Sequence, residues 1–205
     1  MLDKVIYFSG IHSAGKSTLI EDLAKREDFV RYEKHLNVKL EDTYHRMVFR
    51  LSRYWIEAKE MDALSASNPG RTVLGDRCVY DNFAYGLGFI KLGWISEEDY
   101  EHSRGIFEKT FRENERPKNI VNVRPPLEWV AERLKKRWET KPKKWREDNQ
   151  DYLREVVNAF PQFYSQLKGC NILELEETDR EKRVKLVLDW AGSLGLVKQS
   201  LLQAS

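Results

Sequence analysis

The stretch Gly10-Ile11-His12-Ser13-Ala14-Gly15-Lys16-Ser17-Thr18 constrains this chain more than any other. An apolar run, Val5 to Phe8, precedes it and reads as a buried β-strand. A helical pattern follows, with Leu19, Ile20 and Leu23 at helix spacing. Strand, Gly-x-x-x-x-Gly-Lys-Ser and helix in that order form the pattern of a phosphate-binding loop. The glycines let the backbone turn tightly and aim successive N–H groups at anionic oxygens. The helix adds the positive end of its dipole. Lys16 is then expected to reach β- and γ-phosphates, and the Ser17 hydroxyl to ligand Mg²⁺. Gly10, His12, Ser13, Ala14, Gly15, Lys16, Ser17 and Thr18 are the expected contacts to ATP, with His12 as a spacer in the loop.

Further strands are expected at Phe29–Glu33, Arg71–Arg77, Asn119–Val123 and Asn171–Leu175, each followed by helical patterning. A long helical stretch from Leu40 to about Ser67 ends at the breaker Ser67-Asn68-Pro69-Gly70. Ser96 before Glu97, Glu98 and Asp99 reads as a helix start. Alternating strands and helices predict an α/β fold: five parallel strands with helices on both faces. Ligands in such sheets bind at the carboxyl ends of the strands. One rim therefore carries the phosphate loop, Glu33, Asp76-Arg77, Arg124 and the segment 176–179.

The 205 residues suit one such domain, expected over residues 1–197, with 198–205 as a fraying tail. A net charge of +2 leaves no global basic field, so nucleic acid is not an expected partner. No apolar stretch is long enough to span a membrane, and Asp3-Lys4 interrupts any leader-like start. Cys78 and Cys170 lie far apart without metal spacing and read as reduced thiols, so a cytoplasmic protein is expected.

Asp76 follows the apolar pair Val73-Leu74 at a strand end. A carboxylate there can support Mg²⁺ or accept a proton from an attacking hydroxyl. Arg77 can clamp a phosphate with its guanidinium fork. The segment Asp76-Arg77-Cys78-Val79-Tyr80-Asp81-Asn82-Phe83-Ala84-Tyr85-Gly86 resembles the Asp-Arg-Tyr-x-x-Ser-x-x-Ala-Tyr-Gln stretch of thymidylate kinases, matching at Asp76, Arg77, Ala84 and Tyr85. Phe49 and Arg53 are similar to that family's Phe-x-x-x-Arg, which implies stacking on the acceptor base and contact with its edge. The chain departs at Cys78 and Gly86, and Arg31-Tyr32-Glu33-Lys34-His35 replaces the Arg-Glu-Pro motif of the second strand. The related deoxynucleoside kinases carry an acid at the end of the second strand that acts as base toward the sugar hydroxyl, a role the resemblance extends to Glu33.

Arg133, Lys135, Lys136, Arg137, Lys141, Lys143, Lys144 and Arg146 crowd a segment expected to act as a lid over residues 133–148. Arg133 and Arg137 share a helix face. Phosphoryl transfer calls for positive charge around the moving group and a dry site, and a basic lid supplies both. Thr178, after the last strand, is expected at the adenine edge, with Asp179 as a helix cap. The resemblance thus implies a P-loop kinase fold with a helical lid, using MgATP to phosphorylate a nucleoside monophosphate. Lys16, Asp76, Arg77, Arg133 and Arg137 are the expected catalytic groups. Glu33, Phe49, Arg53, Arg77 and Tyr85 are the expected acceptor contacts, and Ser17 and Asp76 the metal contacts. A deoxynucleoside acceptor and a non-catalytic ATP switch are the alternatives. Thymidylate kinases are commonly dimers, so a homodimer is also expected.

Overall fold

Val5–Ser9 (β1) is buried along its whole length, as a strand covered on both faces must be. The computed structural model describes residues 2–34, 40–143 and 146–197. Its further elements are α1 (Lys16–Leu23), β2 (Phe29–Arg31), α2 (Thr43–Ser67), β3 (Thr72–Asp76), α3 (Val79–Lys91), α4 (Glu97–Thr110), β4 (Asn119–Val123), α5 (Leu127–Trp138), α6 (Gln150–Tyr164), β5 (Asn171–Leu175) and α7 (Arg180–Ser193). The strands run parallel in the order β2-β3-β1-β4-β5. Right-handed crossovers decide the layers. The step from β1 to β2 goes one way along the sheet, and every later step goes the other way. Helix α1 therefore falls on one face, where α7 joins it, while α2, α3, α4 and α6 pack on the other. The expected five-stranded α/β architecture is the one observed.

Local chemistry sets the helix starts. Asp42, Asn149 and Asp179 each accept a hydrogen bond from the backbone N–H three residues on. Ser96 and Asp99 close a reciprocal capping box on α4. Helix α2 buries Met47, Leu51, Tyr54, Ala58 and Met61 as one stripe. Strand β2 stops at Arg31, two residues short of the expected Glu33. The expected tail, 198–205, and lid residues Lys144 and Trp145 lie outside the described residues.

Helices α3 and α6 approach closely at Gly88. A Cβ there would stand 3.0 Å from Val156 Cγ2 and 3.3 Å from its Cα. Gly88→Val should cost about 1–3 kcal/mol by overpacking. That corresponds to a drop in Tm of roughly 2–12 °C in a chain of this size. Thermal denaturation followed by circular dichroism checks it, and an unchanged Tm would refute this packing.

Candidate active site

Two neighbouring strands set the site. Strand β1 pairs with β3 so that Phe8 lies opposite Asp76. The phosphate loop leaves the end of β1, and Asp76-Arg77 leaves the end of β3. The Arg77 backbone N–H donates to Phe8 O at 2.9 Å and ties the two exits together. Between them opens a cleft of about 970 Å³. The loop contributes His12, Ser13, Gly15, Lys16, Ser17 and Thr18 to its lining, and the end of β3 with the residue after it contributes Asp76 and Arg77. Phe49 and Arg53 come from α2, and Arg133 and Arg137 from α5. Most of the residues singled out from sequence therefore meet in one place.

Gly10 and Ala14, expected against ATP, do not line the cleft. Gly10 has φ +128°, and a Cβ there would stand 2.2 Å from Val123 O, so its glycine serves close packing on β4. Ala14 is buried, and its carbonyl accepts from Arg183 Nη1 at 2.9 Å. That same Nη1 would meet a Cβ on Gly15 at 2.5 Å. Arg183 therefore braces the loop from behind. Burial, with Arg133 nearby, lowers its pKa to about 10.

Lys16 Nζ donates to Gly10 O at 2.9 Å and to Ile11 O at 2.6 Å. Burial, aided by the Arg77 charge, lowers the Lys16 pKa to about 7. Asp76 Oδ2 lies 3.5 Å from the Ser17 hydroxyl, which donates to it. Asp76 Oδ1 is buried with no hydrogen-bond partner among the described residues. Burial alone would raise the Asp76 pKa, but Lys34, Lys16 and Arg77 outweigh it and hold the carboxyl below its ordinary value. Asp76 is thus ionised at neutral pH.

Three arginines of the cleft are each backed by an almost fully buried carboxylate. Arg77 Nη1 lies 3.1 Å from Asp81 Oδ2, Arg53 Nε lies 3.2 Å from Glu57 Oε1, and Arg137 pairs with Glu147. Asp81 Oδ1 in turn accepts from the Ser9 and Tyr164 hydroxyls. Arg77 adopts φ +77°, a left-handed turn that the surrounding bonds enforce. Tyr85 was expected to touch the acceptor. It is instead buried beneath Arg77, whose Nη1 donates to its hydroxyl at 3.2 Å.

The ends of α5 and α6 touch the loop. Arg137 Nη1 donates to Ser13 Oγ at 2.9 Å, and His12 Nε2 lies 3.0 Å from the Tyr152 hydroxyl. Lys136 and Lys141 join the lining. Arg146 turns away, its guanidinium 3.8 Å from the centre of the Trp94 ring. Thr178 does not reach the main cleft. It lies with Trp129, Arg133 and Arg183 in a recess of about 60 Å³ behind Gly15 and Thr18.

Glu33, expected as a base toward the acceptor hydroxyl, does not line the cleft. Its side chain is 66% exposed and pairs with Arg31 at 2.9 Å. Neighbouring residues of an extended chain point to opposite sides, and it is Lys34 that lines the cleft. Lys34, Arg46, Arg50 and the buried acids were missed. The spacing Arg53–Glu57, four apart on one helix, was a readable signal. Glu147 offered none, since only the fold buries it. Both cysteines are free thiols, as expected. Among the described residues, no helix is long and apolar enough to cross a membrane, and no group of three or more His, Cys, Asp or Glu could hold a metal.

A profile described as deoxynucleoside kinase matches residues 6–190. The chain belongs to the deoxynucleoside kinase family. The deoxyadenosine/deoxycytidine kinase of Bacillus subtilis (strain 168) is 24% identical over 185 residues, covering 86% of this chain and 84% of that relative. Among solved structures, the fold is similar to deoxyadenosine kinase from M. mycoides with bound dATP. The TM-score is 0.68 at 17% identity, over 91% of this chain and 98% of that one. Thymidylate kinase from Candida albicans is similar with a TM-score of 0.60 at 14% identity, over 94% and 92% of the two chains. This deoxynucleoside kinase family member is thus a P-loop kinase, and the family match favours the deoxynucleoside acceptor over the monophosphate expected first.

The state of Lys16 gives a testable pH dependence. A bound phosphate favours the cationic form, so the complex holds more protons than the free protein above about pH 7. ATP affinity should be flat below pH 7 and fall as pH rises beyond it, by up to about tenfold per pH unit. Calorimetric titration in two buffers of different ionisation enthalpy should register proton uptake. Uptake that persists in Lys16→Met would refute the assignment.

Proposed function

We propose that this kinase transfers the γ-phosphoryl group of ATP to a hydroxyl of a deoxynucleoside. The observation that carries the reading is Asp76, ionised, with one buried oxygen lacking a partner, in the same cleft as Lys16. The family match and the relative named for deoxyadenosine and deoxycytidine support the acceptor class. Lys16 and the loop amides hold the β- and γ-phosphates. Arg133 and Arg137 add charge at the moving group, and Arg77 orients the acceptor. Adenine is assigned to the surface over the recess of Thr178, Trp129 and Arg183, which at about 60 Å³ is too small to enclose the base.

Ser17 and Asp76 suit Mg²⁺, which keeps water and phosphate oxygens for most of its shell and needs few protein ligands. When bound, that ion neutralises charge on the phosphates. The acceptor hydroxyl oxygen bonds to the γ-phosphorus while the bond from phosphorus to the bridging oxygen breaks. ADP leaves with that electron pair, and the hydroxyl proton passes to Asp76. A weakly basic carboxylate suffices, because the transition state is loose.

Asp76→Asn should lower kcat by roughly 10²–10⁴ with a deoxynucleoside acceptor. Glu33→Gln should leave kcat within about twofold, as an exposed residue outside the cleft does. A coupled ADP-release assay measures both. A large loss in Glu33→Gln with little in Asp76→Asn would overturn the assignment, and no stimulation by any deoxynucleoside would overturn the function.

A further inference from the structure

The strand order separates two halves of the cleft. The recess with Thr178 lies on the β4–β5 side of the phosphate loop, and α2, which joins β2 to β3, lies on the other. Helix α2 therefore walls the acceptor half. Arg46, Phe49, Arg50 and Arg53 stand at i, i+3, i+4 and i+7, one stripe along that wall, and all four line the cleft. They extend over about 10 Å of helix, on the scale of a nucleoside.

The chemistry of this wall is one-sided. Guanidinium groups carry N–H donors and no acceptor. The described residues lining the whole cleft include two acids, Asp76 at the reacting centre and Glu21 on α1. None from α2 or α3 is Asp, Glu, Asn or Gln. Glu57, the acid behind Arg53, is buried and not in the lining. Arg50 has no acidic partner among the described residues, and its guanidinium lies 5.8 Å from the centre of the Tyr85 ring. Arg46 is half-buried. Its Nη1 donates to Leu40 O at 2.9 Å, and burial, together with the Arg50 charge, lowers its pKa to about 10; both residues line the cleft.

We infer that the acceptor turns an edge of oxygen or ring-nitrogen acceptors toward Arg46 and Arg50, so that the preferred deoxynucleosides carry oxo bases rather than amino bases. This rests on the proposed kinase reading and concerns the same site. Guanine offers O6 and N7, and thymine offers O4, as acceptors. Adenine shares the N7 acceptor but sets N6–H₂ where guanine has O6, and cytosine sets N4–H₂ where thymine has O4, so on that edge an amino donor would face the donors of this wall. An amino group buried against guanidinium groups is left unpaired, and a site of that kind rejects its ligand strongly.

The test compares deoxyguanosine and thymidine with deoxyadenosine and deoxycytidine, by kcat/KM and by calorimetric binding in the presence of a non-hydrolysable ATP analogue. The expected result is a preference for the oxo bases of roughly 10- to 100-fold. Arg46→Gln and Arg50→Gln should shrink that ratio through KM, since glutamine offers an acceptor as well as donors. ATP affinity serves as the folding control. Equal or better use of the amino bases, or a ratio unmoved in both variants, would overturn the inference. Deoxynucleoside monophosphates form a separate arm, because a phosphate would also satisfy these arginines. A preference for dTMP over thymidine that both variants abolish would overturn the base-edge assignment. If no ADP forms with any acceptor, the kinase reading fails, and the binding arm still supports or refutes the base preference. Binding of no deoxynucleoside would overturn both.

Discussion

The parallel pairing of β1 with β3 is the interaction on which the site depends. It places Phe8 beside Asp76, and from there two short exits carry the phosphate loop and the acid–base pair to the same edge. Side chains alternate along a strand, so a slip of one residue would send Asp76 to the opposite face. The ladder holds the register, and beyond its end the Arg77 N–H bond to Phe8 O at 2.9 Å continues it.

The cleft gathers like charges that repel one another. The buried carboxylates Asp81, Glu57 and Glu147 answer that repulsion from behind the arginines, leaving the cleft-facing side free for anions. Buried ion pairs add little net stability, because desolvation offsets the attraction. Their contribution here is direction. Each guanidinium is held in one orientation, which spares a bound phosphate the entropy of ordering it. Asp81 goes further, since its other oxygen collects hydroxyls from β1 and α6.

The architecture was legible because it is written locally. Val5–Phe8, Asn119–Val123 and Asn171–Leu175 announce strands by their apolar runs, and the loop carries its own spacing. Asp76 and Arg77 were legible through their position at a strand end. Glu33 misled because side chains alternate along the extended chain past Arg31, and it is Lys34 that falls on the cleft side. Tyr85 misled because aromatic residues on a helix say nothing of depth. Glu147 lay among other charged residues of a basic segment and looked solvated. Its burial arises from contacts between loop, lid and α6 that no periodicity encodes.

The hydrogen bond from Arg137 to Ser13 bears on binding. The guanidinium rests on the loop, held by a neutral hydroxyl in front and Glu147 behind. An arriving phosphate oxygen has only to replace that hydroxyl, exchanging an uncharged acceptor for an anionic one. Such an exchange at one nitrogen leaves the pairing of Arg137 with Glu147 intact, so the guanidinium changes partner without losing its anchor.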